Sequence, residues 1–392
     1  MNTQSTPVHM HLWHRDFWRM AIANLLLSMS VYLLLPILPG WLLRVQGLTY
    51  SETGLAMGIF GAGLFLLGGF TCYLVERYRR NIVCVWAILL MAALTGLLFW
   101  LDARRAEFAG LQVILLERLL LGATFGVAQM VLSSTLIIDT CESYQRTEAN
   151  HSASWFSRFA LSLGPLAGIV LERFMGFSFV VLISVGCAVA AGVMILLVHF
   201  PFRAPREEVQ IISLDRFLMP RSWPLAVNLL LITLAVGLLM SAGLSELFYA
   251  MVMAGFLLAL LAQRFVFRDA ELKSEVVSGL VLMGAALLMM LTRQQTVVGF
   301  AAPLFIGLGL GIIGSRFLLF FIKLSHHCQR GTSQSTFMLG WESGIAFGLG
   351  IGYGLLEADP ILLMQTALGL TVLALIAYNF FIHDWFLRHK NR

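Results

Sequence analysis

The chain has 392 residues, of which 59% are hydrophobic and only 12% charged, whereas soluble domains carry about 25% charged residues. A soluble fold of this length cannot bury that much apolar surface, so lipid must cover the excess. The formal charge of +5 comes with no basic tract interleaved with aromatics, and the five cysteines are scattered without CxxC or metal-ligand spacing, which argues against a nucleic-acid partner, a disulfide framework and a metal site.

A bilayer-spanning helix needs about 20 apolar residues. Measured by that length, spans are predicted at 17–43, 51–75, 82–101, 110–138, 150–172 and 176–200, then at 222–242, 244–266, 276–292, 298–323, 333–356 and 359–383. The segment before the first span is polar and lacks a signal-peptide core, so the first helix is expected to remain. The longest polar break, 201–221, divides the chain into an N-terminal six-helix bundle (1–200), a cytoplasmic linker (201–221) and a C-terminal six-helix bundle (222–392). The predicted fold class is therefore an all-α polytopic membrane protein with twelve transmembrane helices in two six-helix pseudo-symmetric bundles.

Orientation follows from Lys and Arg in the connecting segments. With the N-terminus inside, 18 of the 26 basic residues fall on the cytoplasmic side and 5 outside, while Arg118, Arg158 and Arg316 lie within spans. Both termini are predicted to be cytoplasmic, in a bacterial inner membrane. An internal repeat supports the division into halves. At an offset of 184, residues 152–168 align with 336–352, so that Gly164 meets Gly348, Gly168 meets Gly352 and Arg158 meets Glu342. A shorter match joins residues 23–27 to 227–231.

Three motifs carry a family resemblance. Between the second and third spans stands Gly69-Phe70-Thr71-Cys72-Tyr73-Leu74-Val75-Glu76-Arg77-Tyr78-Arg79-Arg80. The fourth span holds Arg118 followed by Gly122 and Gly126, and the fifth holds Gly164-Pro165-Leu166-Ala167-Gly168. Over nearly its whole length the chain resembles the major facilitator superfamily. The first motif is similar to that family's G-x-x-x-D-R-x-G-R-R signature, with Glu76 in place of Asp. The fifth-span motif resembles that of the drug:proton antiporter branch, with Ala160 in place of its first Gly. The resemblance implies alternating access, a conformational latch at Glu76, Arg77 and Arg80, a coupling role for Arg118, and close helix packing at Gly164, Pro165 and Gly168.

Ionisable groups inside a span cost at least ~2.5 kcal/mol on insertion scales and mark functional positions. Glu342 and Arg158 are predicted at similar depth in opposite halves, facing a central cavity. Glu342 is the candidate proton carrier, with a permanent ion pair to Arg158 or Arg316 as the structural alternative. Arg158 is the candidate counter-charge. Arg316 is a further cavity candidate, or snorkels to the inner surface. Trp155, Asn24, Tyr32, Gln129, Asn228, Met338 and Trp341 complete the candidate cavity set, each with an interhelical hydrogen bond or packing contact as the alternative reading.

These readings predict a monomeric, proton-coupled exporter of small amphipathic or drug-like compounds in contact with membrane lipid. The alternatives are an importer or exchanger of a small anionic metabolite, and a lipid flippase. There is no nucleophile–base pair and no Walker lysine motif, so an enzyme or ATP-driven pump is not expected, and no cofactor is called for.

Overall fold

The computed structural model describes residues 11–103, 110–200, 210–267, 271–293 and 295–391. Six of the basic residues counted for orientation (Arg104, Arg105, Arg203, Arg206, Arg268 and Arg392) and the first part of the predicted linker, 201–209, lie outside the described residues. The described secondary structure is helical. In chain order the spans are α1 (Arg15–Tyr32, resumed at Leu38–Arg44), α2 (Tyr50–Arg77), α3 (Arg80–Ala103), α4 (Leu111–Asp139), α5 (Arg146–Met175) and α6 (Phe177–Leu196). The second set is α7 (Trp223–Met240), α8 (Glu246–Phe265), α9 (Leu272–Thr292), α10 (Thr296–Leu324), α11 (Arg330–Gly354) and α12 (Pro360–His389). Ten of these helices are long and apolar enough to cross a membrane by length and composition. The other two, α1 and α11, carry much of the site.

The interruption of α1 departs from the continuous span expected at 17–43. Pro36 has no N–H to donate, so the helical ladder fails after Tyr32, and Pro39 falls in the first turn of the resumed stretch, where no N–H is needed. The chain passes through a turn at 33–37, where the Leu34 N–H bonds to the Val31 carbonyl three residues back. α11 is instead rich in Gly and Ser and carries Glu342, and most of it is buried.

Each half packs in the same pattern. α1 lies against α5 and α6, α2 against α4, and α3 against α4 and α6; α7 lies against α11 and α12, α8 against α10, and α9 against α10 and α12. Contacts between halves obey the same exchange, with α2 on α11 and α5 on α8. The repeat glycines occupy equivalent interfaces. A Cβ at Gly164 or Gly168 would meet Tyr32 or the Leu33 carbonyl of α1, and one at Gly348 or Gly352 would meet Leu234 or Ser241 of α7. Small residues there let backbones approach closely. Pro165 lies inside α5, and the helix runs through it.

The two ends of the bundle close differently. At the end bearing the described termini, the segment 213–219 straps both halves. Ser213 N–H bonds to Gly69 O of α2 at 2.9 Å, the Asp215 carboxylate accepts from Thr332 Oγ1 of α11 at 2.6 Å, and Met219 N–H bonds to Thr336 Oγ1 at 2.8 Å. The Phe217 ring fills the space left by the missing side chain of Gly68. At the opposite end, Arg173 of α5 pairs with Glu246 of α8 at 2.8 Å. There α2 and α11 meet as bare backbone, because a Cβ on Gly54 would lie 2.2 Å from Gly354 N.

Candidate functional site: a polar cavity between the halves

Between the halves lies a cavity of about 30 Å³, room for about two water molecules. From the first half it is lined by Asn24 of α1, Gln129 and Ser133 of α4, and Ser154, Ser157 and Arg158 of α5. From the second half α11 alone supplies the lining, including Gln334, Met338, Trp341 and Glu342. The fourth helix widens here into a π turn at Leu132–Leu136. Ser133 and Ser134 turn their hydroxyls back onto the Gln129 and Met130 carbonyls at 2.7 and 2.5 Å, and Thr135 does the same to Val131. Such back-bonding competes with the helical ladder and bends helices.

Glu342 is 4% exposed and Tyr32 1%. The Tyr32 hydroxyl donates to Glu342 Oε2 at 2.8 Å, so the one carboxylate that lines the cavity among the described residues is held across the inter-half boundary by a residue of α1. The break after Tyr32 and the missing Cβ of Gly164, which would sit 2.6 Å from Tyr32 Cβ, fix that side chain's approach. Arg158 crosses the boundary in the other direction. Its Nη1 donates to Ser315 Oγ of α10 at 2.7 Å, and Nη2 donates to Ser154 Oγ at 2.9 Å. The guanidinium carbon lies 4.7 Å from the centre of the Trp155 ring, within cation–π range. Arg158 Nε is buried without a hydrogen-bond partner, and no carboxylate oxygen forms an ion pair with this guanidinium among the described residues. The expected alternative of a Glu342–Arg158 or Glu342–Arg316 ion pair therefore does not form.

A hydrogen-bonded shelf backs the cavity within the first half. Asn24 Nδ2 donates to Ala153 O at 2.9 Å, Gln129 Nε2 to Ser28 Oγ at 3.1 Å, and Ser28 and Ser157 hydroxyls lie 2.9 Å apart. These bonds leave Asn24 Oδ1 and Gln129 Oε1 buried and unpartnered.

Three candidates lie elsewhere. Arg316 does not line the cavity, because its Nε is hydrogen-bonded to the Glu275 carboxylate of α9. Asn228 donates to Ala374 O of α12 at 3.0 Å and is fully buried at that packing seam. Arg118 lies at the α2–α4 interface, 5.1 Å from the Phe60 ring centre, where Gly122 and Gly126 touch the α2 backbone. The latch residues also find separate partners. Glu76 faces Arg216 of the strap at 4.0 Å, Arg80 pairs with Asp139, and Arg77 is exposed. Cys72, Glu76 and Asp215 bring their ligand-type atoms within 4.8 Å of one another, but Arg216 already supplies the positive charge there.

Sequence reading missed Ser154, Ser315 and Glu275. Ser154 is four residues before Arg158 on the same helical face, which was a usable signal. Ser315 sits beside the more conspicuous Arg316. Glu275 falls one residue before the predicted start of its span, whereas α9 begins at Leu272.

The sequence profile described as Major Facilitator Superfamily matches residues 20–349. No curated relative matches the sequence. The fold is similar to the human organic anion transporter MFSD10 (TETRAN), with a TM-score of 0.68 and 15% identity over 93% of this chain and 99% of that one. It is also similar to a bacterial homologue of the iron transporter ferroportin in an outward-facing state, with a TM-score of 0.66 and 17% identity over 93% and 98%. An auto-inhibited peptide transporter of the POT family gives a TM-score of 0.65 at 12% identity over 97% and 98%.

Proposed function

The chain belongs to the Major Facilitator Superfamily, and on that footing we propose that it is a proton-coupled secondary transporter exporting small amphipathic compounds by alternating access. The observation that carries this reading is the Tyr32–Glu342 hydrogen bond across the two halves, at the wall of a cavity now too small for an organic substrate. Glu342 is the proton carrier in this scheme. Protonation removes its charge and weakens its charge-assisted bond to Tyr32, so proton uptake and separation of α1 from α11 favour each other. Residues 1–200 and 222–392 act as the two moving halves, with 201–221 as a cytoplasmic linker. The protein works as a monomer in a bacterial inner membrane with both termini inside, in keeping with the excess of Lys and Arg at that end.

The test is Glu342→Gln in proteoliposomes with and without an imposed pH gradient. Gln keeps the shape and can still accept from Tyr32 but cannot titrate. Gradient-driven transport should vanish while gradient-free exchange persists and the melting temperature holds. Undiminished gradient-driven transport would exclude Glu342 as the carrier.

A second reading, transport of an organic anion, is favoured by Arg158, whose hydrogen bonds go only to neutral serines and whose Nε is free. Arg118 stands outside the cavity lining, so Arg158 alone is the anion-binding residue in that reading. Competition by amphipathic anions against cations of equal size separates the two.

A further inference from the structure

At the terminal end of the second half, a groove of about 440 Å³ opens between α7 and α12, on the outside of the bundle. Its walls include Trp223 and Val227 of α7 and Phe380, Phe381 and Trp385 of α12. Trp223, Phe380 and Phe381 are each about two-thirds exposed, at 66%, 65% and 70%. Its α12 wall spans a π turn at Tyr378–Ile382 and the last stretch of the helix, His383–His389. Inside the turn the Tyr378 hydroxyl is held 2.9 Å from His383 Nδ1. The far wall is fixed by hydrogen bonds to backbone carbonyls. Arg221 Nη2 donates to His389 O at 3.0 Å, and Asn391 N–H donates to Lys323 O at 2.9 Å.

Two opposite charges share this groove. Asp384 and Arg388 stand four residues apart on one helical face and both line it. They are spaced for an i, i+4 pair, yet no ion pair joins them, and neither has one with another described residue. An apolar trough ending in an unpaired carboxylate and an unpaired guanidinium is complementary to a molecule with acyl chains, a phosphate and an ammonium. The geometry points to a binding site for a phospholipid with a primary-amine headgroup, of the phosphatidylethanolamine class. Its phosphate meets Arg388, its ammonium donates to Asp384 beside the Trp385 ring, and an acyl chain runs along Val227, Phe380 and Phe381. Charge complementarity selects this occupant over phosphatidylglycerol, whose neutral glycerol headgroup brings no cation to Asp384 and leaves that carboxylate uncompensated. It also selects a primary amine over choline, whose quaternary nitrogen has no N–H to donate.

The test uses the purified full-length protein in detergent and measures individual lipid binding by native mass spectrometry, with melting temperature read in parallel. Dioleoyl phosphatidylethanolamine, phosphatidylcholine and phosphatidylglycerol are compared, and free phosphoethanolamine serves as a headgroup without chains. Phosphatidylethanolamine should bind on the order of tenfold more tightly than phosphatidylcholine, the worth of one charge-assisted hydrogen bond. Phosphoethanolamine alone should give no shift. Asp384→Asn should erase the preference over phosphatidylcholine, and Arg388→Gln should weaken both lipids. Both side chains are exposed, so unchanged melting temperatures without lipid will show that the variants fold. Equal binding of the two lipids, tighter binding of phosphatidylglycerol, or a preference that survives Asp384→Asn would each overturn the assignment.

Discussion

Arg158 sets the energetics of the cavity. With no carboxylate beside it, the buried guanidinium is solvated by Ser154, Ser315 and the Trp155 ring in place of water. Lysine would retain the charge but lose the planar fork and the stacking. Arg158→Lys should therefore cut transport at least tenfold, which corresponds to about 1.4 kcal/mol or more, with little change in melting temperature. Ser315→Ala removes one acceptor and should destabilise by about 1–3 kcal/mol, measurable by thermal denaturation. At this scale the convergence of Asn24, Gln129, Arg158, Met338, Trp341 and Glu342 on one lining was legible. Polar groups inside spans at matched depth in two repeats have few other places to go. Asn228 and Arg316 show the limit of that logic. Hydropathy reveals that a polar group is buried but not whether a backbone carbonyl or a carboxylate on a third helix satisfies it.

The broken α1 and the α9–α10 ion pair are features of whole helices. Pro36→Ala restores one donor and should let α1 run on past Tyr32, moving the hydroxyl off Glu342. Loss of Tyr32 protection in a tyrosine-modification assay would report that shift. Glu275 and Arg316 form a pair in which the carboxylate is 1% and the guanidinium 20% exposed. Glu275→Gln leaves the arginine uncompensated and should cost ~3–5 kcal/mol, toward the low end because Arg316 retains some solvent. Glu275→Gln with Arg316→Gln should recover most of the lost melting temperature, and failure to recover it would mean that Glu275 acts otherwise. Span lengths were legible from hydropathy. The α1 interruption and the two π turns were not read, because they arise from missing or diverted backbone hydrogen bonds and leave the apolar content unchanged.

For the whole molecule, the two seams between halves are related by pseudo-symmetry but differ in chemistry. On one, Ser162 of α5 donates to Tyr249 O of α8 at 2.6 Å, and Arg173 pairs with Glu246. On the other, Gly54 and Gly58 of α2 face Gly354 and Gly350 of α11 with no side chain between them. Reporter fusions after Arg80, at 210–215 and after Asn391 should all read the same compartment, and a split result would refute the shared-end topology. The unequal seams also bear on mechanics. The side-chain-free stretch at Gly54 and Gly58 resists shear weakly, whereas a riveted seam acts as an axle, so the halves should swivel about α5–α8 while this end of α2 glides along α11. Pulsed electron-electron resonance during turnover should find broad distances across the glycine seam and narrow ones across its counterpart. A substitution such as Gly54→Ala, which puts a methyl into the gliding track, should slow the stroke without touching substrate affinity.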